Sequence, residues 1–167
     1  LNILYSGSKS EACRNTWNKK LTKEILKTNK ISTPIWHEVI FNKNVVQNGL
    51  QNSSFDKFRP FKYLFLKPEE DGSSVDIFKI GNDKSLAEAY LKCTNHDRGF
   101  LFEEYVDGKE FTVTIIDKKC FPPIEIITKN EFYDYEAKYI SDETLHIEAE
   151  LSSNELSDIQ YLSLNAV

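Results

Sequence analysis

The chain has 167 residues, enough for one ordinary domain or for two small lobes with a buried core. Its 40% apolar and 28% charged residues are typical of a globular protein, and a net charge of −5 argues against a general nucleic-acid or anionic-membrane surface. No apolar run approaches the roughly 20 residues that span a bilayer, so we expect a cytoplasmic protein. The three cysteines lack CxxC spacing, which predicts buried free thiols and neither a zinc site nor a disulfide.

The sequence contains no methionine and opens at Leu1. An initiator methionine is normally removed only when the next residue is small, and leucine is not. We therefore expect the chain to be part of a longer protein.

Three segments have the apolar spacing of helices. The first follows the capping residue Asn18 and runs to about Lys30, with apolar side chains on one face and lysines on the other. The second has Asp83 as its predicted cap, and the third begins at about Ser153.

Short apolar or β-branched runs predict strands at 35–41, 63–67, 75–80, 99–106, 110–117 and 121–128. The polar segment 42–58 leaves helix and loop both open. Because several of the connections are short, we expect antiparallel neighbours in an α+β fold.

The first motif that could carry chemistry is KPEEDGSSVDI at 67–77. Gly72 permits a positive φ, Ser73 and Ser74 supply hydroxyls, and Lys67 supplies a point charge suited to phosphate. A plain polar turn between two strands explains the same residues. The motif alone leaves both interpretations open, and it is not a Walker loop.

The second motif is FEEYVDGKEF at 102–111, two strand-like runs around Gly108. As a hinge, its backbone could read a planar base, while Glu103 and Glu110 accept hydrogen bonds from an amine or from sugar hydroxyls. The alternative is a charged hairpin with glycine at its bend.

The third motif is FYDYEAKY at 132–139, which alternates aromatic and charged residues without a clean period. A loop held by its aromatics, which delivers Lys138 and Tyr139 to a site, explains this order. An edge strand with one polar face is the alternative.

Together and in this order, the three motifs closely resemble those of D-alanine–D-alanine ligases, bacterial cell-wall enzymes of the ATP-grasp superfamily. The resemblance covers nearly the whole chain, and FYDYEAKY is its most specific part. It implies a partial ATP-grasp fold, with antiparallel sheets and flanking helices in two lobes. Residues 1–106 would form the central lobe with its approach segment. Residues 107–167 would begin the C-terminal lobe, including a lid at about 129–144.

The resemblance also implies roles for individual residues. Lys19 and Lys67 match the family's two phosphate lysines, and Lys138 matches the lysine that reaches the γ-phosphate from the mobile loop. Seven further residues match ATP-binding positions of the family, in its adenine hinge and in the flexible flap over the triphosphate: Glu103, Glu104, Tyr105, Val106, Glu110, Ser73 and Ser74. Of these, the first four correspond to the adenine hinge and Glu110 to the ribose carboxylate. Ser73 and Tyr139 match two members of the cluster that closes the lid.

Some positions depart from the family pattern. Asp76 stands where glycine is common, which adds a negative charge near a polyphosphate flap, and Asn18 replaces an acid before Lys19. Segment 146–151 lacks the usual proline-containing turn. The family's Mg2+ ligands would lie beyond Val167, so no metal ligand is predicted within the chain.

The implied function is ATP-dependent formation of D-Ala-D-Ala for peptidoglycan through an acylphosphate. The implied substrates are ATP and D-alanine, and the implied metal cofactor is Mg2+. We expect little or no ligase activity from this chain alone, and no nucleic-acid or membrane partner; the full-length family allows a homodimer. The alternatives are a non-catalytic nucleotide-binding module or decayed remnant, and another ATP-grasp carboxylate–amine ligase. FYDYEAKY argues against the last of these.

Overall fold

The computed structural model describes residues 5–129, 132–133 and 135–167, and helices and strands are mixed along them. The helices are α1 (Ser10–Trp17), α2 (Lys19–Thr28), α3 (Lys43–Asn48), α4 (Asp83–Lys92), α5 (Tyr135–Tyr139) and α6 (Ser153–Asn165), with a 3-10 helix at Ser53–Phe58. The strands are β1 (Trp36–Ile40), β2 (Leu64–Pro68), β3 (Phe78–Ile80), β4 (Gly99–Glu104), β5 (Glu110–Thr112), β6 (Ile115–Ile116), β7 (Lys119–Cys120), β8 (Ile124–Ile127) and β9 (Leu145–Glu148).

Every strand pairing is antiparallel among the described residues, as the short connections predicted. One sheet has the order β1-β4-β2-β3, a second has the order β5-β8-β9, and β6 pairs with β7. In the first sheet, β2 lies beside β4 with Phe65 opposite Glu103 and Lys67 opposite Leu101. This register fixes which side chains share a face.

The hydrophobic core covers one face of the first sheet. Leu66 and Phe102 project from β2 and β4 into this core and pack with side chains of α4 and of the 3-10 helix. The rings of Phe55 and Phe102 meet edge to face at 4.8 Å. Since side chains alternate along a strand, Lys67 and Glu103 lie on the opposite face, where the candidate site is built.

The predicted helices are present, with one error in capping. Asn18 accepts a hydrogen bond from the Leu21 N–H and caps α2 as predicted. The predicted cap Asp83 is wrong, because Asn82 accepts from the Ser85 N–H and forms the capping box of α4. Helix α1 was not predicted.

The strand predicted over 75–80 begins only at Phe78. Ser73, Ser74 and Asp76 adopt left-handed backbone conformations, with φ of 55°, 59° and 53°, which a strand does not tolerate. Segment 110–117 is likewise divided, into β5 and β6, and the open segment 42–58 contains α3 and the 3-10 helix.

The expectation of buried free thiols is only partly met. All three cysteines are free, but Cys13 is exposed and the other two are half-buried. Among the described residues, no helix combines the length and apolarity needed to cross a bilayer.

Helix α4 offers a matched test of the core. Leu86 is fully buried, whereas Leu91 on the same helix is 83% exposed. We expect Leu86→Ala to lower the free energy of unfolding by about 2–5 kcal/mol, through lost burial and a cavity. Leu91→Ala should change it by less than about 0.5 kcal/mol. Urea denaturation measures both, and equal losses in the two variants would contradict the assigned core.

Candidate functional site

Glu103 is a buried carboxylate held between two ammonium groups. Its Oε1 accepts from Lys67 Nζ at 2.6 Å, and its Oε2 pairs with Lys23 Nζ at 2.9 Å. The register makes Lys67 and Glu103 diagonal neighbours on one face of the sheet, within reach of long side chains. The resulting pair of ion contacts ties α2, β2 and β4 together.

Lys23 is a site residue that the sequence prediction missed. The apolar-face pattern of α2 put all its lysines on the solvent side, but Lys23 is buried. Its Nζ also donates to Thr33 Oγ1 at 2.8 Å and to the Pro34 carbonyl at 3.1 Å. With Glu103, these acceptors match the three donors of an ammonium group. The available signal was spacing, since Lys23 follows Lys19 by four residues and shares its helix face.

Charge pairing decides the ionisation of this cluster. Burial disfavours the charged form of Glu103, but Lys67 and Lys23 outweigh it and hold the pKa of this carboxyl below its usual value. Burial lowers the pKa of Lys23, and the hydrogen bond to Glu103 opposes that shift. The carboxylate is therefore the charged group that organises the two lysines.

Lys19 begins α2 and contacts the loop that follows β2. Its N–H donates to the Glu69 carbonyl at 2.7 Å, and its Nζ donates to the Asp71 carbonyl at 2.9 Å. Burial lowers the pKa of Lys19, and the neighbouring charges of Lys67 and Arg98 lower it further. Lys19 and Lys67 thus lie close enough to repel, an arrangement that a bound anion would relieve.

The loop of residues 71–76, here called the phosphate loop after its predicted role, has an unusual backbone. Asp71, Ser73, Ser74 and Asp76 all have positive φ, whereas Gly72 does not, so the predicted role of Gly72 in supplying that conformation is wrong. Side-chain and lid contacts hold the non-glycine residues in place instead. An ideal Cβ at Gly72 would meet nothing within 4 Å, so that position faces open space.

Helix α5 brings the lid residues onto the phosphate loop. Lys138 Nζ donates to Ser74 Oγ at 2.6 Å, and Ser73 Oγ and Tyr139 OH share a hydrogen bond of 2.9 Å. Ser74 Oγ in turn donates to the Tyr133 carbonyl at 3.2 Å. Because Tyr135–Tyr139 is helical, the edge-strand alternative for 132–139 is wrong, and the segment predicted as a loop contains a short helix. Residues 130, 131 and 134, part of the predicted lid, lie outside the described residues.

Two of the three predicted phosphate lysines therefore contact a single loop, and the third precedes that loop on β2. Lys19 binds its Asp71 carbonyl, Lys138 binds its Ser74 hydroxyl, and Lys67 lies on the strand that leads into it.

A cavity of about 330 Å³ follows directly from β4. Its lining includes Tyr105, Val106, Glu110 and Phe132, so three of the predicted nucleotide-binding residues share one opening. Its size falls at the lower end of ligand pockets. A larger groove, of about 910 Å³, runs along the edge of β1 that pairs with no other strand among the described residues, and none of the predicted site residues line it.

Glu104 points away from this cavity. Successive side chains of a strand alternate, so Glu104 lies on the other side of β4 from Glu103. Its Oε2 accepts from the Ile35 N–H at 3.2 Å. Any contact of Glu104 with a base must therefore come from its backbone.

Asp76 does not present a free negative charge. Its carboxylate is buried, accepts from Thr94 N–H and Thr94 Oγ1, and pairs with Arg98. Burial opposes its ionisation, but the Thr94 hydrogen bonds and the Arg98 charge outweigh burial and lower the pKa of Asp76. The expected repulsion of a polyphosphate is accordingly offset within the protein.

The comparisons with known proteins agree on one family. A family model described as D-ala D-ala ligase C-terminus matches residues 25–167. The D-alanine–D-alanine ligase of Marinomonas sp. is 32% identical over 167 residues, covering 97% of this chain and 50% of that protein. D-alanine–D-alanine ligase B of Clostridium perfringens is 26% identical, covering 98% and 52%. The chain thus spans about half the length of the curated relatives it matches.

Solved structures match the fold over the same extent. D-alanyl-alanine synthetase A from Vibrio cholerae matches with a TM-score of 0.76 at 24% identity, covering 98% of this chain and 50% of that one. The D-alanine–D-alanine ligase from Bacillus anthracis matches with a TM-score of 0.68 at 28% identity, covering 90% and 47%. A structure of that ligase complexed with ATP matches at 0.65 and 24% identity, covering 90% and 45%.

These matches define the fold as half of an ATP-grasp ligase. The chain belongs to the D-alanine–D-alanine ligase family.

The family resemblance implies Mg2+, which oxygen ligands hold. Within the ranges that the structure describes, no three His, Cys, Asp or Glu side chains form a group that could hold a metal ion. The side chains present therefore do not fit a magnesium site built by this chain alone, and we assign no step to one.

The role of Lys23 can be tested against a lysine one turn further along α2. We expect Lys23→Met to lower the free energy of unfolding by about 2–3 kcal/mol, because it removes one partner of a buried ion pair while Lys67 remains. The exposed Lys27 is the control, and Lys27→Met should cost less than about 0.5 kcal/mol. Urea denaturation at pH 7 measures both, and a Lys23→Met variant as stable as the control would contradict the buried role.

The depressed pKa of Glu103 predicts a pH dependence of stability. Its usual value is 4.5, so its contribution is fully present above that pH and is lost as the pH falls through the lower pKa of the folded state. The difference in unfolding free energy between the unchanged chain and Glu103→Gln should therefore be constant from about pH 5.5 to 7 and shrink towards about pH 3. Urea titrations at several pH values measure it; a difference that persists undiminished at the lowest pH would refute the ion pairing.

Proposed function

We propose that this chain is the ATP-binding part of a D-alanine–D-alanine ligase that acts in the cytoplasm in peptidoglycan synthesis. In that reaction the γ-phosphoryl group of ATP passes to the carboxylate of one D-alanine, which yields an acylphosphate and ADP. The amino group of a second D-alanine attacks the acyl carbon and releases phosphate. The observation that carries the proposal is that Lys19 and Lys138 contact one loop, while Lys67 lies on the strand that leads into it.

The three lysines would neutralise and orient the triphosphate. Catalysis of phosphoryl transfer depends mainly on positioning and on charge stabilisation, which ammonium groups supply. Lys19 and Lys67 would contact the inner phosphates, and their mutual repulsion favours an anion between them. Lys138 would reach the γ-phosphate from the lid, exchanging its present contact with Ser74 Oγ for a phosphate oxygen.

The nucleoside would occupy the cavity beside the end of β4. The backbone of Glu103, Glu104, Tyr105 and Val106 would read the adenine, and the Glu110 carboxylate would accept from the ribose hydroxyls. The shared cavity lined by Tyr105, Val106 and Glu110 supports this assignment. The Glu104 side chain takes no part, since it binds the Ile35 N–H.

The contact between Ser73 and Tyr139 would hold the lid closed over the phosphates. A closed lid excludes water, which would otherwise hydrolyse an acylphosphate. We further propose that the lobes divide as 1–106 and 107–167. The first sheet lies entirely before that boundary and the second entirely after it, which supports the division.

A nucleotide-binding module without ligase chemistry is the second candidate. It is favoured by the finding that, among the described residues, no cluster of three or more His, Cys, Asp or Glu side chains could hold a metal ion. A coupled ADP-release assay with D-alanine and Mg2+ on the full-length protein separates the two candidates, because a module would bind ATP without D-alanine-dependent turnover.

The test of nucleotide binding compares ATP with AMP. Lys138→Gln should weaken ATP binding about tenfold or more, since a charged hydrogen bond to phosphate is worth about 1.5–3 kcal/mol. AMP affinity should stay within about twofold, because AMP lacks the γ-phosphate that Lys138 would contact. Isothermal titration with and without Mg2+ measures both affinities.

Lys129 supplies the control for this comparison. It is an exposed lysine at the first residue of the predicted lid, and its Nζ pairs with Glu143 and not with the phosphate loop, so Lys129→Gln should leave ATP affinity unchanged. The proposal fails if the unchanged chain binds no ATP, or if Lys138→Gln binds ATP as tightly as Lys129→Gln does.

A further inference from the structure

Arg98 bridges both ends of the phosphate loop. One terminal nitrogen of its guanidinium pairs with Asp71 Oδ2, and the other pairs with Asp76 Oδ2. The planar, rigid fork of arginine allows one side chain to hold two carboxylates in fixed positions. Arg98 is itself largely buried and lies over the Phe100 ring at 5.4 Å, so the bridge is anchored on β4.

Asp76 is fastened on its other side by the chain between α4 and β4. Its carboxylate accepts from Thr94 Oγ1 at 2.7 Å and from the Thr94 N–H at 3.0 Å, and Cys93 Sγ lies 3.7 Å from Oδ2. A buried carboxylate needs such partners to remain ionised. Side chains and backbone of residues 93–98 therefore hold the C-terminal end of the loop through Asp76.

The bridge opposes the backbone preference of the loop. Asp76 has a φ of 53°, and Asp71 one of 112°, conformations that glycine adopts readily and other residues adopt at a cost. A strained conformation persists only where the surroundings impose it. Here the carboxylate contacts of the same two residues supply that constraint.

The segment held by the bridge carries the contacts assigned to the nucleotide site. The Asp71 carbonyl accepts from Lys19 Nζ, and Ser73 and Ser74 bind Tyr139 and Lys138. A shift at either end of so short a loop displaces all of these groups together.

We propose that Arg98, through Asp71 and Asp76, is a positioning residue that fixes the phosphate loop in the conformation that binds the β- and γ-phosphates of ATP. The fixed loop is the structural claim, and its consequence for ATP rests on the proposed function. Arg98 does not itself contact substrate in this proposal. It also balances the Asp76 carboxylate, so that the loop can approach a polyanion.

A double-mutant cycle on Arg98 and Asp76 tests the proposal. Arg98→Met leaves Asp76 strained and without its charge partner, and should weaken ATP binding about tenfold while AMP binding changes less than about twofold. In an Asp76→Gly background, glycine adopts the left-handed backbone at position 76 without strain. That position then carries no buried carboxylate. The same Arg98→Met change then removes only the pairing with Asp71, and it should weaken ATP binding by no more than about threefold.

Two further variants keep the test specific. Arg59→Met removes an exposed arginine that pairs with Asp56, and should affect neither nucleotide. Arg98→Lys retains the charge but cannot hold both carboxylates, so ATP affinity should be restored only in part. A merely structural role of Arg98 would weaken ATP and AMP binding equally, or neither, at a temperature where every variant is folded.

Amide hydrogen exchange of residues 71–76 in the free chain reads the loop directly. Arg98→Met should accelerate exchange about tenfold in the Asp76 background and much less in the Asp76→Gly background. Equal effects in both backgrounds would overturn the bridge.

If exchange shows the coupling but the unchanged chain binds no ATP, the proposed function fails while the fixed loop stands. If ATP binds but Arg98→Met leaves its affinity unchanged, the positioning role fails and the proposed function stands.

Discussion

The buried carboxylate of Glu103 is the interaction on which the site depends. A charge taken out of water is costly unless opposite charges and hydrogen bonds accompany it. Lys67 on β2 and Lys23 on α2 provide the opposite charges and the hydrogen bonds. The pairing of one carboxylate therefore fixes β4, β2 and α2 relative to one another. Because Lys19 lies one turn before Lys23 on α2, the same interaction also places Lys19 beside the phosphate loop.

The phosphate loop joins the two halves of the chain. It leaves the first sheet after β2, and its serine hydroxyls reach residues of the segment between β8 and β9. Its backbone is strained at several non-glycine positions, and the side chains that offset the strain come from outside the loop. The conformation of the loop is therefore a property of the assembled fold.

Asp76 illustrates how a residue that is unfavourable by itself becomes compatible with the site. From the sequence, an acid next to a phosphate-binding flap weakens the case for activity. In the structure its charge is paired with Arg98 and its oxygens are bound by Thr94, so the loop does not present it to a ligand. The pairing joins residues 22 positions apart, with strand β3 and helix α4 between them, and no local pattern reveals it.

The sequence by itself determined the family, the antiparallel α+β arrangement, three of the six α-helices among the described residues and most of the strands there, because apolar spacing and short motifs act locally. Its errors lie where distant residues decide. Asn82, rather than Asp83, caps α4; Phe78, rather than Val75, begins β3; and Lys23 is buried although its helix pattern indicates a solvent face. Tertiary structure alone decided which charges are paired, because ionised groups separated along the chain meet only after the sheet has set their faces and register.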